Sequence, residues 1–261
     1  METVAVQVGH GTVLTVRLHP GPEGAPVVVI APGLGVPPSY YDFVASGSVK
    51  RGFNSATLEL GSGGYQELVG VDFPAMFEVV RERFDRSTPY LLGHSLGGHL
   101  SMMYAARIRG RLGGLALVAS GSPFHRGYGV RSAGMYLGAT AVSLTAAVAG
   151  HWPGDRLGAQ GFGRQSKELV SDWSRFARSG KIDPVGADID YEERIARLTL
   201  PVLSISIEGD DQTPPRTTKN LVEKMPKADV TSWHEPKDLG HNGWIADSYG
   251  VVERVAQWIK Q

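Results

Sequence analysis

The 261-residue chain contains no cysteine. That absence excludes disulfide frameworks, thiolate zinc sites, iron–sulfur clusters and a cysteine nucleophile. It also lacks an excess of either charge, with 26 Lys plus Arg against 26 Asp plus Glu. A surface that tracks nucleic-acid phosphates needs a basic surplus, so no nucleic-acid partner is expected. Metal-ligating patterns are missing too. There is no H-E-x-x-H and no histidine–carboxylate cluster at ligand spacing, and no metal or cofactor is expected. A dinucleotide fingerprint is incomplete: Gly33-Leu34-Gly35 follows an apolar run but has no third glycine, and Pro37-Pro38 intrude where a helix would start. Long hydrophobic runs are scarce. The most apolar window, Met135 to Ala149, falls short of a bilayer span and is diluted by small residues, so a buried helix is expected and no membrane span. The start, Met1-Glu2-Thr3-Val4-Ala5-Val6, has no Lys or Arg ahead of its apolar residues and does not look like a signal peptide; a cytoplasmic location is the expectation.

Apolar residues make up 42% of the chain and charged residues 20%. That is enough apolar material for a core, which excludes a disordered protein. Val4–Val8 and Val13–Leu18 flank the turn Gly9-His10-Gly11 and predict a hairpin. Short runs rich in β-branched residues follow at Val27–Ile30, Ser55–Leu60, Tyr90–Leu92, Leu115–Ala119 and Val202–Ile207. Continuous apolar runs of this kind suit strands buried on both faces of a parallel sheet. Helix-length stretches lie between them at Pro38–Lys50, Phe73–Phe84, Leu96–Arg109 and Arg216–Lys224, and Ser248–Ile259 closes the chain with one apolar helical face. The fold class is α/β, a mostly parallel central sheet flanked by helices.

One region breaks this alternation. From Phe124 to Leu200 there is no β-branched run, but there are helical patches at Ser132–Ala149, Lys167–Arg178 and Glu192–Leu198 and a glycine-rich joint at 158–163. A helical cap inserted over residues 124–199, between core segments 1–123 and 200–261, is the expected domain organisation.

Gly93-His94-Ser95-Leu96-Gly97-Gly98 matches G-x-S-x-G. The pattern alone is weak in a chain with 34 glycines. Its context is strong, because a strand-like run precedes it and a helix-like run follows. A serine on such a sharp turn needs glycines two residues before and after, where a side chain would collide with neighbouring backbone. The turn also leaves the Leu96 N–H at a helix N-terminus, where negative charge is favoured. A serine nucleophile needs a base. Of the histidines at 10, 19, 94, 99, 125, 151, 234 and 241, His241 stands out in the Gly-flanked loop Leu239–Gly243, with His234 second. The histidine needs an acid, and Asp210 and Asp211 lie in the loop after Val202–Ile207; Asp210, four residues before Pro214, is preferred. The Leu34 N–H, in the loop Pro32–Gly35, is the candidate second oxyanion donor.

Together these segments resemble the α/β-hydrolase superfamily over nearly the whole chain, with 124–199 in the place of its helical cap. The Gly93–Gly98 motif and the Asp210–Pro215 loop are similar to its serine-dependent esterase/lipase branch. The resemblance implies Ser95 as nucleophile, His241 as base, Asp210 as orienting acid, and Leu34 and Leu96 as the oxyanion hole. It departs from the pattern at Pro32, where many members have His, and at Glu59–Gly64, where many have an Asp-x-Arg-Gly-x-Gly loop. A small lipophilic acyl ester or thioester is the expected substrate. A non-catalytic binding protein on this fold is the rival expectation, and an acyltransferase or carbon–carbon hydrolase using the same residues is a third. Oligomeric state is unreadable from the sequence.

Overall fold

Val27–Ala31 forms β3, with all five residues buried. β-branched side chains pack well on both faces of a pleated strand, and here they divide two cores. Val27 and Val29 join one cluster with Phe73, Met76, Leu100 and Met103. Val28 and Ile30 join a second with Val44, Val251, Val255 and Trp244. Around β3 the chain builds an eight-stranded sheet: β1 (Glu2–Gln7), β2 (Val13–His19), β4 (Asn54–Leu58), β5 (Pro89–His94), β6 (Gly114–Val118), β9 (Pro201–Glu208) and β10 (Asp229–Asp238) complete it. The spatial order is β1-β2-β4-β3-β5-β6-β9-β10. Contacts from β4 through β10 are parallel, whereas the β1–β2 hairpin runs antiparallel and joins β4 antiparallel. This computed structural model describes all residues except 109–111 and 158–161.

The helices follow the alternation of the sequence. They are α1 (Asp42–Lys50), α2 (Tyr65–Glu67), α3 (Phe73–Arg83), α4 (Leu96–Ile108), α5 (Ser132–Ala149), α6 (Lys167–Ser179), α7 (Tyr191–Ile195), α8 (Pro215–Val222), α9 (Gly240–Ala246) and α10 (Tyr249–Ile259). Pro38–Tyr41 is a 3₁₀ turn leading into α1 rather than its first turn. Arg109, the expected end of α4, lies outside the described residues.

Between β6 and β9 the chain leaves the main sheet, and α5 packs along α6 there. The sequence predicts no strand in this stretch. The structure has two, β7 (His151–Pro153) and β8 (Arg164–Ser166), paired antiparallel. Each is three residues long with no β-branched residue, too short for any periodicity to register. Of the glycine-rich joint, residues 158–161 are outside the described residues, while Phe162 and Gly163 both adopt positive φ.

The expectation of a buried helix at Met135–Ala149 is corrected. The helix forms, but only Ala139 and Ala146 are buried, while Leu137, Leu144 and Val148 are 66%, 62% and 91% exposed. Apolar composition states a preference for leaving water, and no described element covers the outer side of α5. With its 3₁₀ lead-in, the 25-residue stretch His125–Ala149 is long and apolar enough to cross a bilayer by length and composition. Its inner side lines a cavity over the main sheet through Met135 and Val142.

Candidate active site

β5 ends at His94, and α4 begins at Leu96. One residue must reverse the chain between them, and Ser95 does so at φ 52°. That left-handed conformation costs a non-glycine residue about 1–3 kcal/mol and persists only where the surroundings hold it. Here the Ser95 N–H donates to the Val118 carbonyl at 3.1 Å. Its own carbonyl accepts from the Gly98 N–H at 3.0 Å and from the Ser120 hydroxyl at 2.8 Å. The flanking glycines are steric necessities. A Cβ on Gly93 would sit 2.5 Å from the Gly98 Cα, and one on Gly97 would drive into the Ala31 and Pro32 carbonyl oxygens. The helix therefore starts in backbone contact with the loop after β3.

The loop after β9 brings Asp210 to Ser95, whereas His241, expected in a loop, is the second residue of α9, which is separated from the end of β10 by one residue. His241 Nε2 lies 2.9 Å from the Ser95 Oγ, and His241 Nδ1 lies 2.9 Å from Asp210 Oδ2 and 3.1 Å from Oδ1. An ionised carboxylate only accepts, so Nδ1 carries the proton and Nε2 is left to accept from the serine hydroxyl. Burial alone would raise the Asp210 carboxyl. Hydrogen bonds from His241 and Thr213 outweigh it, and the carboxyl stays below the usual carboxylate value. The N–H groups of Gln212 (2.9 Å) and Thr213 (3.0 Å) and the Thr213 hydroxyl all donate to that carboxylate. Asp211, the alternative acid, is exposed. His234, the second histidine candidate, sits on the edge strand β10 and bonds to Ser206 at 2.9 Å and Glu208 at 3.0 Å. Thr213 has no signal in the sequence, because its role depends on how the turn folds back on Asp210.

Leu34 and Leu96 line the same cavity as Ser95 and His241. As the first residue of α4, Leu96 has no preceding helical turn to accept its N–H. Among the described residues, no backbone carbonyl accepts the Leu34 N–H. The cavity measures about 860 Å³, and its apolar wall includes Met135, Val142, Trp152, Leu169, Val170 and Trp173 from the segment between β6 and β9. Tyr128, from the same segment, donates its hydroxyl to the Gln212 carbonyl at 3.0 Å, tying that segment to the Asp210 loop.

Two further histidines frame the serine, and both are fully buried. Burial pushes His99 down to about 4 and His94 down to about 3, the latter with help from the neighbouring His241. Both are neutral near pH 7. His94 stands next to Ser95 in the sequence, which was its one visible signal. No group of three or more His, Asp or Glu able to hold a metal ion occurs among the described residues.

The sequence profile of the alpha/beta hydrolase family matches residues 27–255. No curated protein matches the chain. Among solved structures, an esterase (EaEST) from Exiguobacterium antarcticum is similar at TM-score 0.66 and 13% identity, over 99% of each chain. A bromoperoxidase from Bacillus anthracis is similar at 0.67 and 14%, over 100% of each. An N-formylmaleamic acid deformylase from Pseudomonas putida is similar at 0.61 and 17%, over 97% of this chain and 100% of that one. At these identities the neighbours speak for the fold alone, but the profile covers β3 to β10, the turn at Ser95 and the segment with His241: the chain belongs to the alpha/beta hydrolase family.

Proposed function

We propose that the protein is a serine hydrolase that cleaves a small lipophilic acyl ester or thioester through an acyl-enzyme. The observation that carries this reading is one imidazole, His241, within hydrogen-bond distance of both the Ser95 hydroxyl and the Asp210 carboxylate. Serine is a weak nucleophile until a base takes its proton. His241 Nε2 accepts that proton as Ser95 Oγ attacks the acyl carbonyl, and the resulting imidazolium is stabilised by the ionised Asp210. The oxyanion of the tetrahedral intermediate is held by the Leu34 and Leu96 N–H groups. Donors fixed in advance at a developing charge need no reorganisation, and each contributes about 10²–10³ in rate. His241 then protonates the leaving alcohol or thiol. In the second half the same imidazole activates water, which releases the acid and restores the serine.

The segment 124–199 serves as a cap in this reading, its aromatic and aliphatic residues enclosing the acyl chain. The apolar wall supports a neutral, lipophilic acyl group, since a charged one would lose its hydration there without a partner. Steady-state turnover of p-nitrophenyl esters of increasing chain length tests the reading. Hydrolysis rising from acetate toward medium chains and lost in Ser95→Ala is the expected result. Turnover retained in Ser95→Ala overturns it.

A further inference from the structure

Gly33, in the loop after β3, donates its N–H to the Tyr41 hydroxyl at 2.9 Å. The Tyr41 hydroxyl lies 2.6 Å from His94 Nδ1, and His94 Nε2 lies 3.0 Å from the His241 carbonyl oxygen. The direction of every bond in this chain is fixed. A carbonyl only accepts, so His94 Nε2 carries the ring proton. The neutral ring then accepts at Nδ1, the Tyr41 hydroxyl must donate to it, and the hydroxyl oxygen accepts from Gly33. Both ends of the chain are backbone groups. One belongs to the residue before the Leu34 oxyanion donor, the other to the residue whose ring is the base.

His94 and Tyr41 are both fully buried. Trp244 meets His94 edge-on at 5.2 Å between centroids and Tyr41 at 6.4 Å. Gly33 approaches so closely that a Cβ there would lie 2.8 Å from His94 Nδ1. The charged or titratable groups facing His94 are His241, whose ring centroid is 5.1 Å away, Tyr41, and Asp210 beyond His241. A buried polar network is worth having only when every member is satisfied, and this one is. It joins the connection after β3, the end of β5 and the start of α9, and among the described residues no other hydrogen bond links the Pro32–Gly35 loop to the segment Leu239–Gly243.

We propose that Tyr41 and His94 act as a positioning pair, setting the oxyanion loop in register with the first turn of α9, which carries the His241 ring. The pair rests on the serine-hydrolase reading above. Neither residue touches the reacting atoms; they act through the Leu34 N–H and the His241 ring. Displacements well below 1 Å in such groups weaken transition-state stabilisation while leaving an apolar binding cavity intact.

The test uses Tyr41→Phe, His94→Gln and the double variant, all in the full chain. Tyr41→Phe keeps the packed ring and removes only the hydroxyl, while His94→Gln keeps a donor toward the His241 carbonyl and loses the link to Tyr41. With p-nitrophenyl butyrate, Tyr41→Phe is expected to lower kcat about tenfold or more while KM changes less than about twofold. The double variant is expected to lose no more than the worse single, because both break one chain. A Tyr41→Phe protein that folds and keeps its kcat, or losses that multiply in the double variant, overturns the proposal. A readout independent of turnover is the ¹⁵N spectrum of the His94 ring, which is expected to show a proton at Nε2 alone from neutral pH down to about pH 5. A ring protonated at Nδ1, or one that titrates in that range, removes the chain itself. A wild-type protein inert toward esters and fluorophosphonates with the expected His94 spectrum would remove the hydrolase reading and leave the hydrogen-bond chain standing.

Discussion

Asp72 is a buried carboxylate whose surroundings disfavour its charged form, and replacing it with Asn should stabilise the protein in a pH-dependent way. Asp72 ends the π-helical turn Leu68–Asp72 and is 3% exposed. Among the described residues, no group donates a hydrogen bond to its carboxylate. Burial, with a smaller contribution from the charge on Glu67, raises its pKa from 3.8 to about 6. The folded state therefore holds this proton more tightly than the unfolded state does. The stability that the protonated group contributes is fully present below about pH 3.8 and is lost as pH rises through about 6. At about 1.36 kcal/mol per pH unit, the loss levels off near 3 kcal/mol above about pH 7. Asp72→Asn has no proton to lose. It should exceed the wild type by about 3 kcal/mol near pH 7.5, an increase in Tm of roughly 6–12 °C, and match it near pH 4. Urea unfolding of both proteins at about pH 4, 6 and 7.5 measures the gap directly. A gap that stays constant across the three conditions, or a wild type more stable than the variant at the highest pH, refutes the reasoning.

Asp210→Asn should lower kcat by about 10⁴, since an amide can donate to His241 Nδ1 and force the proton onto Nε2, where it blocks the serine. Asp211→Asn, at an exposed site, should stay within about twofold of wild type; the two rate constants on one activated ester check both. Gly97→Ala places a methyl group against the backbone carbonyls of Ala31 and Pro32, neither of which can rotate away. It should cost about 1–3 kcal/mol in urea unfolding and, on the proposed reading, depress kcat as well, because those carbonyls lead into the Pro32–Gly35 loop.

Features that depend on short-range sterics were legible in the sequence. The glycines at 93, 97 and 98 announce a tight turn because each touches backbone or Ser120 within the first contact shell. The β-branched runs at Val27–Ile30 and Val202–Ile207 announce strands because both faces of each are covered by helices. The convergence of Ser95, Asp210 and His241 followed from the rule that loops at the carboxyl ends of parallel strands share one rim. What escaped depends on tertiary neighbours. Tyr41 carries no local signal at all; its hydroxyl matters only because the 3₁₀ turn before α1 sets it under the loop after β3. The exposure of α5 was missed because apolar content says what a helix would bury, not what is there to bury it. The choice between Asp210 and Asp211 depended on a turn in which the Asp210 N–H returns to the Ile207 carbonyl, closing the loop so that one carboxylate faces inward.

In the proposed hydrolase, Ser95 is an activated nucleophile whose reactivity depends on His241. Its most direct measurement is fluorophosphonate labelling of the intact protein, with the adduct mapped by peptide mass spectrometry. A single adduct on Ser95 is expected in the wild type, with labelling slowed by several orders of magnitude in His241→Ala. An adduct on any other residue, or labelling of Ser95 at an undiminished rate without the imidazole, contradicts it.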